Sequence, residues 1–256
     1  SAQVRSILLL LSHQTGQNTM TLRYLVLFDV DGTLLWPDGS GRAAMLAALE
    51  QVYGTTGPVE DYYFGGLTDR RVVYDLMSAS GFTPEAIEAN FARLAAVLTD
   101  EFERRLAEGR HKIRPCPGGH ELIGALSARP EVLLGLLTGN LQATATLKLK
   151  AAGYDPDDFR VGAFGSESTE RSVLFRLAVE RASGLTGVGF QGKDVIVIGD
   201  TPADVLCGKP YNARSIAVLT GLHSRDELKA AGADAVFSDL SDTQAVLKAI
   251  LAKGDR

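Results

Sequence analysis

The sequence predicts an α/β fold, a doubly wound parallel sheet with a helical insertion, and three observations support this prediction. Short apolar segments recur along the chain, and helical patterns alternate with them after residue 115. Several of these segments end abruptly in polar residues, as strands do at the ligand-binding edge of an open α/β sheet. Residues 36–115 carry helical patterns without strand signals. The fold class is therefore α/β, with a Rossmann-like core and an α-helical insertion.

The first strand covers residues 24–28, whose continuous apolar character is typical of a parallel strand buried on both faces. Helices and strands then alternate after Pro115 in the order of a doubly wound sheet. The predicted helices of this part are 118–128, 142–152 and 169–182. The predicted strands are 132–138, 159–164, a strand ending at Asp200, 215–219 and 235–237.

The segment between the first and second strands predicts only helices, over 43–52, 68–78, 84–98 and 100–108. Proline and glycine concentrate near 35–41 and 114–118, where we expect hinges. We therefore divide the chain into a core, residues 20–35 and 116–256, and an insertion, residues 36–115. Residues 1–19 are interpreted as a leader or a disordered extension, because their apolar run is too short for a signal peptide or a membrane span.

The composition is that of an ordinary globular protein. The chain has 256 residues, of which 45% are hydrophobic and 22% charged, and a net charge of −5. It has no basic footprint for nucleic acid and no apolar segment long enough for a membrane span, so we expect neither partner. Only Cys116 and Cys207 occur, in no metal-binding spacing, which favours a reducing, cytoplasmic location and two small buried residues.

Two carboxylates, Asp29 and Asp31, follow the first strand directly. Gly32 allows a sharp exit from the strand, and Thr33 adds a hydroxyl near the same edge. Two like charges one residue apart need compensation, which a hard cation supplies most readily. The alternative is a solvated turn, so the pair alone leaves the function open.

Three motifs occur in order along the chain, each at the end of a predicted strand. They are Asp-Val-Asp-Gly-Thr at 29–33, the strand ending in Thr138-Gly-Asn, and Gly199-Asp200 followed by Asp204. Together they resemble the first, second and fourth motifs of the haloacid dehalogenase-like (HAD) hydrolases, and phosphoglycolate-phosphatase-like members in particular. The resemblance spans roughly residues 22–240. In that family, a helical insertion at 36–115 resembles the cap that closes over the active site.

The resemblance implies a Mg²⁺-dependent phosphatase that forms an aspartyl-phosphate. Asp29 would be the nucleophile and a metal ligand, with Asp200 and the backbone carbonyl of Asp31 as further ligands. The Asp31 carboxyl would then serve as general acid and base. Asp204 would hold metal-bound water or a cation, unless it only caps its helix.

Phosphate oxygens would be bound by Thr138 and the turn that follows it. The hydroxyl of Thr138 and the amides of Gly139 and Asn140 are neutral donors at a strand-to-helix turn. The alternative, that Thr138 and Asn140 cap the next helix, is compatible with this role.

The third family motif is normally a lysine, and here the sequence departs from the pattern. Lys193 lies at the start of its strand, about 20 Å from the catalytic edge at about 3.3 Å per residue. Lys148 and Lys150 lie late in a helix that runs away from that edge. We therefore expect Arg171, which opens a helix on the correct side, to bind phosphate. The alternative for Arg171 is a solvated helix residue.

Thr68, Asp69 and Arg70 lie in a glycine-containing loop of the insertion that resembles the cap loop facing the leaving group in this family. We expect these residues to contribute to specificity, although Thr68 is also a good helix N-cap.

The expected partner is a small phosphorylated metabolite, and the oligomeric state stays open. Two alternatives to a phosphatase remain, a phosphomutase and a catalytically silent HAD-fold binding protein. Gly41 stands where β-phosphoglucomutase-like members carry histidine, which disfavours a mutase. The presence of Asp29, Asp31, Thr138 and Asp200 disfavours a silent protein.

Overall fold

The computed structural model describes residues 22–252 and contains one six-stranded parallel sheet. Strands are numbered in chain order, and the order across this sheet is β5-β4-β1-β6-β7-β8. The bounds are β1 Tyr24–Phe28, β4 Val132–Thr138, β5 Val161–Phe164, β6 Val195–Gly199, β7 Arg214–Val218 and β8 Ala235–Phe237. The predicted doubly wound α/β class is confirmed.

Helices cover both faces of the sheet, and β1 shows why its sequence is apolar throughout. Val26 and Phe28 pack into the hydrophobic cluster on one face, while Leu25 and Leu27 pack into the cluster on the other. All four side chains are fully buried. The helices of the core are Gly119–Ser127, Gln142–Ala151, Arg171–Thr186, Pro202–Cys207, Arg225–Ala230 and Thr243–Leu251.

The insertion has a hydrophobic core of its own, built by three helices and the loops between them. These helices are Ser40–Tyr53, Asp69–Ala79 and Pro84–Ala107. The predicted break between helices 84–98 and 100–108 is wrong. Thr99 donates its hydroxyl to the Ala95 carbonyl (2.8 Å), which satisfies the threonine inside the helix, and the helix continues.

The insertion joins the core through two short strands, β2 (Leu35–Trp36) and β3 (Arg114–Pro115). They pair antiparallel, with Leu35 opposite Pro115 and Trp36 opposite Arg114. The expectation of no strand in 36–115 is therefore wrong at its two ends, because two residues are too few to produce a periodic pattern. Both strands fall in the segments where hinges are expected.

Two expectations concern the chain outside the sheet. The interpretation of residues 1–19 as a leader or a disordered extension falls outside the described residues. Between residues 22 and 252, no helix is both long and apolar enough to cross a membrane.

Candidate active site

The candidate site lies at the edge where three neighbouring parallel strands end. Strand β1 pairs with β4 on one side and with β6 on the other. Asp29 follows β1, Thr138 ends β4 and Asp200 follows β6. The backbone N–H of Asp29 donates to the Ile198 carbonyl (2.9 Å), which ties the end of β1 to that of β6. Sheet topology therefore brings residues together that lie up to 171 positions apart in the sequence.

Three carboxylates form a buried cluster at this edge. Asp29, Asp200 and Asp204 each offer an oxygen atom within 4.8 Å of the others. Thr33 donates its hydroxyl to Asp200 Oδ1 (3.1 Å). Gly32 has φ +80°, and a Cβ there would lie 2.5 Å from Asp200 Oδ2, so only glycine fits between the turn and the cluster. An all-oxygen, buried, anionic donor set suits a hard divalent cation.

The cluster cannot hold its full negative charge without compensation. Burial, opposed in part by Arg171 and reinforced by Asp204 and Asp31, raises the pKa of Asp29 from 3.8 to about 7. Burial and the neighbouring charges of Asp29 and Asp204 also raise the pKa of Asp200 well above its usual range. The site therefore favours either a bound proton or a bound cation.

Arg171 supplies one positive charge to this cluster. It begins its helix after β5 and is buried, with Nη2 at 2.7 Å from Asp29 Oδ1 and 3.0 Å from the Leu137 carbonyl. The same nitrogen forms an ion pair with Asp204. Burial alone would lower the pKa of Arg171, but the neighbouring carboxylates of Asp204 and Asp29 raise it. The alternative of a solvated residue is wrong for Arg171.

Lys193 lies where its sequence position indicated, away from the acidic cluster. It sits in the turn Gly192–Asp194 that precedes β6, at the opposite end of this strand.

Asp204 has two structural roles at once. Its Oδ2 accepts from the Thr201 backbone N–H (3.0 Å) and from the Thr201 hydroxyl (2.7 Å), completing a capping box at the helix Pro202–Cys207. Its other oxygen forms the ion pair with Arg171. The helix-capping interpretation of Asp204 is therefore confirmed, and its expected role toward metal-bound water or a cation stays a prediction.

The expectation that Lys148 points away from the site is wrong. Its side chain is 1% exposed, its Nζ forms an ion pair with Asp31 Oδ2, and it donates to Asn140 Oδ1 (2.6 Å). The helix Gln142–Ala151 does run away from the edge, but helical side chains point back toward the N-terminus, and lysine is long enough to return. One sequence signal could have revealed this, because Lys148 shares the buried helix face of Thr144, Ala145 and Leu149. Lys150, two residues on, is exposed.

Thr138 and Asn140 hold each other in place at the end of β4. Thr138 Oγ1 accepts from the backbone N–H of Asn140 (3.3 Å) and from its Nδ2 (2.8 Å). Asn140 Nδ2 also lies 3.1 Å from Asp31 Oδ2. The following helix has Leu141 as its N-cap, without a side-chain hydrogen bond, so the capping interpretation of Thr138 and Asn140 is wrong. Because Thr138 Oγ1 accepts both bonds, its O–H proton can be donated elsewhere.

The segment Thr68–Arg70, which comprises the N-cap and first two residues of the helix Asp69–Ala79, packs the insertion against the core. Asp69 donates its backbone N–H to the Gly139 carbonyl (2.7 Å), and its Oδ2 accepts from the Leu141 N–H (2.7 Å). Burial raises the pKa of Asp69 to about 6, although Lys148 and the Leu141 N–H oppose the shift.

The other two residues of this segment make structural contacts. Thr68 is the N-cap of the helix Asp69–Ala79, accepting from the Arg71 N–H (3.1 Å). Arg70 Nε donates to the Ser166 carbonyl (2.7 Å), and its guanidinium stacks on Phe91 at 4.1 Å. Of the three, only Asp69 lines the cavity described next. Their expected role in specificity stays a prediction, and their contacts relate them first to docking of the insertion.

A cavity of about 650 Å³ lies between the core and the insertion, within the size range of small-molecule sites. Asp29, Asp31, Asp200 and Arg171 line it from the core. The insertion contributes a largely apolar and aromatic wall that includes Met45, Tyr62, Tyr63, Phe64 and Val72. The arrangement is an acidic edge with two buried cations, opposite an apolar wall, which is suited to a compact anionic ligand with a less polar portion.

A parallel α/β core with an acidic strand edge under a helical insertion defines the class of HAD-type hydrolases. The family model for haloacid dehalogenase-like hydrolases matches residues 26–209, and the chain belongs to this family. The resemblance inferred from the three motifs is thereby confirmed.

Individual relatives agree with the family assignment. The chain is 25% identical over 243 residues to the "probable phosphatase IndB" of Dickeya dadantii (strain 3937), covering 90% of this chain and 96% of that protein. A hydrolase from Pseudomonas syringae has a similar structure (TM-score 0.64, 24% identity, 89% of this chain and 99% of that one). So does CbbY from Rhodobacter sphaeroides in complex with phosphate (TM-score 0.59, 21% identity, 86% of this chain and 96% of that one). At these identities the two structures support the fold.

Proposed function

We propose that this chain is a Mg²⁺-dependent phosphatase that acts on a small phosphorylated metabolite and uses Asp29 as its nucleophile. The observation that carries the proposal is the contact of Asp29 Oδ1 with Arg171 Nη2 at 2.7 Å in the cavity wall. A carboxylate can attack phosphorus only where positive charge offsets its repulsion from the anionic substrate. Arg171 supplies part of that positive charge directly beside Asp29 Oδ1.

A hard divalent cation fits the remaining requirement. Asp29 and Asp200 offer carboxylate oxygens in the buried cluster, and burial together with the neighbouring carboxylates raises the pKa of both, so a bound cation would favour their charged forms. Asp29, Asp200 and the backbone carbonyl of Asp31 would hold Mg²⁺, with Asp204 close behind them. The bound ion would neutralise the charge between the nucleophile and the phosphoryl oxygens.

Hydrolysis then takes two steps. Asp29 attacks phosphorus, the bond to the leaving oxygen breaks, and that oxygen takes a proton from the Asp31 carboxyl, giving an alcohol and an aspartyl-phosphate. Water next attacks the phosphorus of this intermediate while the Asp31 carboxylate takes one of its protons, which releases phosphate and restores Asp29. Throughout, the Thr138 hydroxyl and the amides of Gly139 and Asn140 would donate to the phosphoryl oxygens.

The cavity supports a compact substrate. Its volume of about 650 Å³ accommodates a metabolite, and the insertion restricts access for a phosphoprotein. A phosphomutase would need an acid or base on the insertion to return the phosphoryl group, and Gly41, which lines the cavity, carries no side chain. The phosphatase is therefore the favoured member of the two enzyme classes.

Hydrolysis of p-nitrophenyl phosphate by the purified full chain tests the proposal. We expect turnover with Mg²⁺ and its loss after chelation. Asp200→Ala should raise the Mg²⁺ concentration needed for half-maximal rate, because an anionic ligand is removed. Asp226→Ala, at an exposed aspartate, is the matched control and should leave the titration unchanged. Equal Mg²⁺ midpoints for Asp200→Ala and wild type would contradict the metal assignment.

A panel of phosphorylated metabolites, ranked by kcat/KM, then identifies the substrate. Failure of every phosphomonoester, with Mg²⁺ present and the protein folded, would refute the proposed activity.

A further inference from the structure

The two oxygens of the Asp31 carboxyl have different surroundings. Oδ2 forms the ion pair with Lys148 Nζ and lies 3.1 Å from Asn140 Nδ2, so two donors hold it. Oδ1 is buried from solvent and has no hydrogen-bond partner among residues 22–252. The Asp31 side chain as a whole is 32% exposed and lines the cavity, so the part of the carboxyl group that a substrate can reach is not Oδ1.

Lys148 is fixed from the opposite side as well. Its Nζ donates to Asn140 Oδ1 (2.6 Å) and lies 5.7 Å from the centre of the Phe102 ring. A Cβ at Gly41 would be 3.2 Å from this nitrogen, so the helix Ser40–Tyr53 closes directly over it. The ammonium is therefore held between Asp31 and Asn140 in the core and two helices of the insertion.

We propose that Lys148 is a positioning residue that, through its ion pair with Oδ2, holds the Asp31 carboxyl where it exchanges the proton with the leaving group. This inference rests on the proposed function, in which Asp31 is the general acid and base. In the first step, the Asp31 carboxyl gives its proton to the leaving oxygen as the bond from phosphorus to that oxygen breaks. In the second, the Asp31 carboxylate takes a proton from the attacking water. Lys148 keeps its own protons and contacts neither reacting atom.

If Lys148 positions Asp31, the rate loss on substituting Lys148 depends on the leaving group of the substrate. An alkyl phosphate releases a basic alkoxide and needs a well-placed acid, whereas p-nitrophenolate leaves with little need of protonation. A residue that acts only on folding or on substrate binding would affect both substrates alike. The ratio of the two rates therefore reports the placement of Asp31.

The test compares kcat/KM for an alkyl phosphate and for p-nitrophenyl phosphate in Lys148→Met, Lys148→Gln and wild type. For Lys148→Met we expect a loss of roughly 10²-fold on the alkyl ester, the lower end of general acid–base contributions, and about 10-fold or less on the aryl ester. Lys148→Gln keeps N–H donors and should show a smaller gap between the two substrates. Lys150→Met, on the exposed face of the same helix, is the matched control and should behave as wild type.

Circular dichroism and thermal unfolding establish that each variant is folded, and Lys148→Gln provides the measurement if Lys148→Met does not fold. Equal losses on both substrates in the folded variants would overturn the inference while leaving the proposed phosphatase intact. Absence of phosphatase activity in the wild type would instead refute the proposed function, and this inference with it.

Discussion

Replacing Arg171 with alanine should remove the cation that balances Asp29 and Asp204 inside the core. At 2.7 Å, the attraction between Arg171 and Asp29 is about 6 kcal/mol at an effective dielectric constant of about 20. Desolvation offsets part of this, and removing one partner of a buried ion pair typically costs about 3–5 kcal/mol. For a chain of this length, such a loss lowers the melting temperature by roughly 10 °C.

The same substitution should slow the reaction. Arg171 contacts the proposed nucleophile, and loss of one charged donor at a reacting centre typically costs about 10²- to 10³-fold in rate. Arg171→Lys should recover much of both losses, because all three contacts of the arginine pass through a single nitrogen, Nη2. An ammonium also has three N–H donors.

Thermal unfolding with and without Mg²⁺, together with kcat/KM for p-nitrophenyl phosphate, measures these effects. Mg²⁺ should reduce the stability loss in Arg171→Ala, since it neutralises the same carboxylates. Arg176→Ala is the control on the same helix, where an exposed pair with Glu180 should contribute less than about 1 kcal/mol. Wild-type stability and rate in Arg171→Ala would refute the reasoning. An Arg171→Lys variant as impaired as alanine would show that the planar guanidinium, rather than its charge, is required.

Three further predictions follow from the site. Asp29→Asn should abolish turnover in a folded protein, because the amide is nearly isosteric with the carboxylate but is not a nucleophile. Residual activity that persists after the variant is purified on a fresh column would contradict this. The folded-state pKa of Asp29 (about 7) lies above its ordinary 3.8, so its stabilising contribution is complete below about pH 4 and is lost as pH rises through about 7. Mg²⁺ should therefore raise the melting temperature more at pH 8 than at pH 5, and an equal rise would refute the assignment. Arg70→Ala should lower kcat/KM about 10-fold for all substrates alike, because Arg70 donates to the Ser166 carbonyl and does not line the cavity. Arg71→Ala, which removes an exposed ion pair with Asp75, is the control. A changed ranking of substrates in Arg70→Ala would restore a specificity role for this residue.

The sequence was sufficient to predict the sheet and the acidic edge, and the reason is local. Asp29, Thr138 and Asp200 each follow an uninterrupted apolar strand, and parallel strands of one sheet end at the same edge. Arg171 could be placed because it opens a helix just after β5, where chain direction alone determines the side of the sheet.

The contacts of Lys148 and Arg70 could not be predicted in the same way. The backbone direction of the helix Gln142–Ala151 places the Lys148 Cα away from the edge, and only the rotamer returns its ammonium to Asp31. Arg70 meets Ser166 across 96 residues, between the insertion and the core. The Arg70 contact depends on how the insertion packs against the core, and the Lys148 contact depends on a side-chain rotamer; neither residue spacing nor periodicity specifies these.

The two buried cations of the site, Arg171 and Lys148, pair with different carboxylates. Arg171 lies against the carboxylate proposed as nucleophile, and Lys148 lies against the one proposed as acid and base. Within residues 22–252, the hydrogen bonds and ion pairs of Arg171 are all to core residues, whereas Lys148 also packs against Phe102 of the insertion. A displacement of the insertion would therefore leave the nucleophile paired but would remove part of the packing that holds Lys148. Proton transfer, more than nucleophilic attack, should then depend on the insertion being docked, and this dependence would limit hydrolysis to substrates enclosed in the cavity.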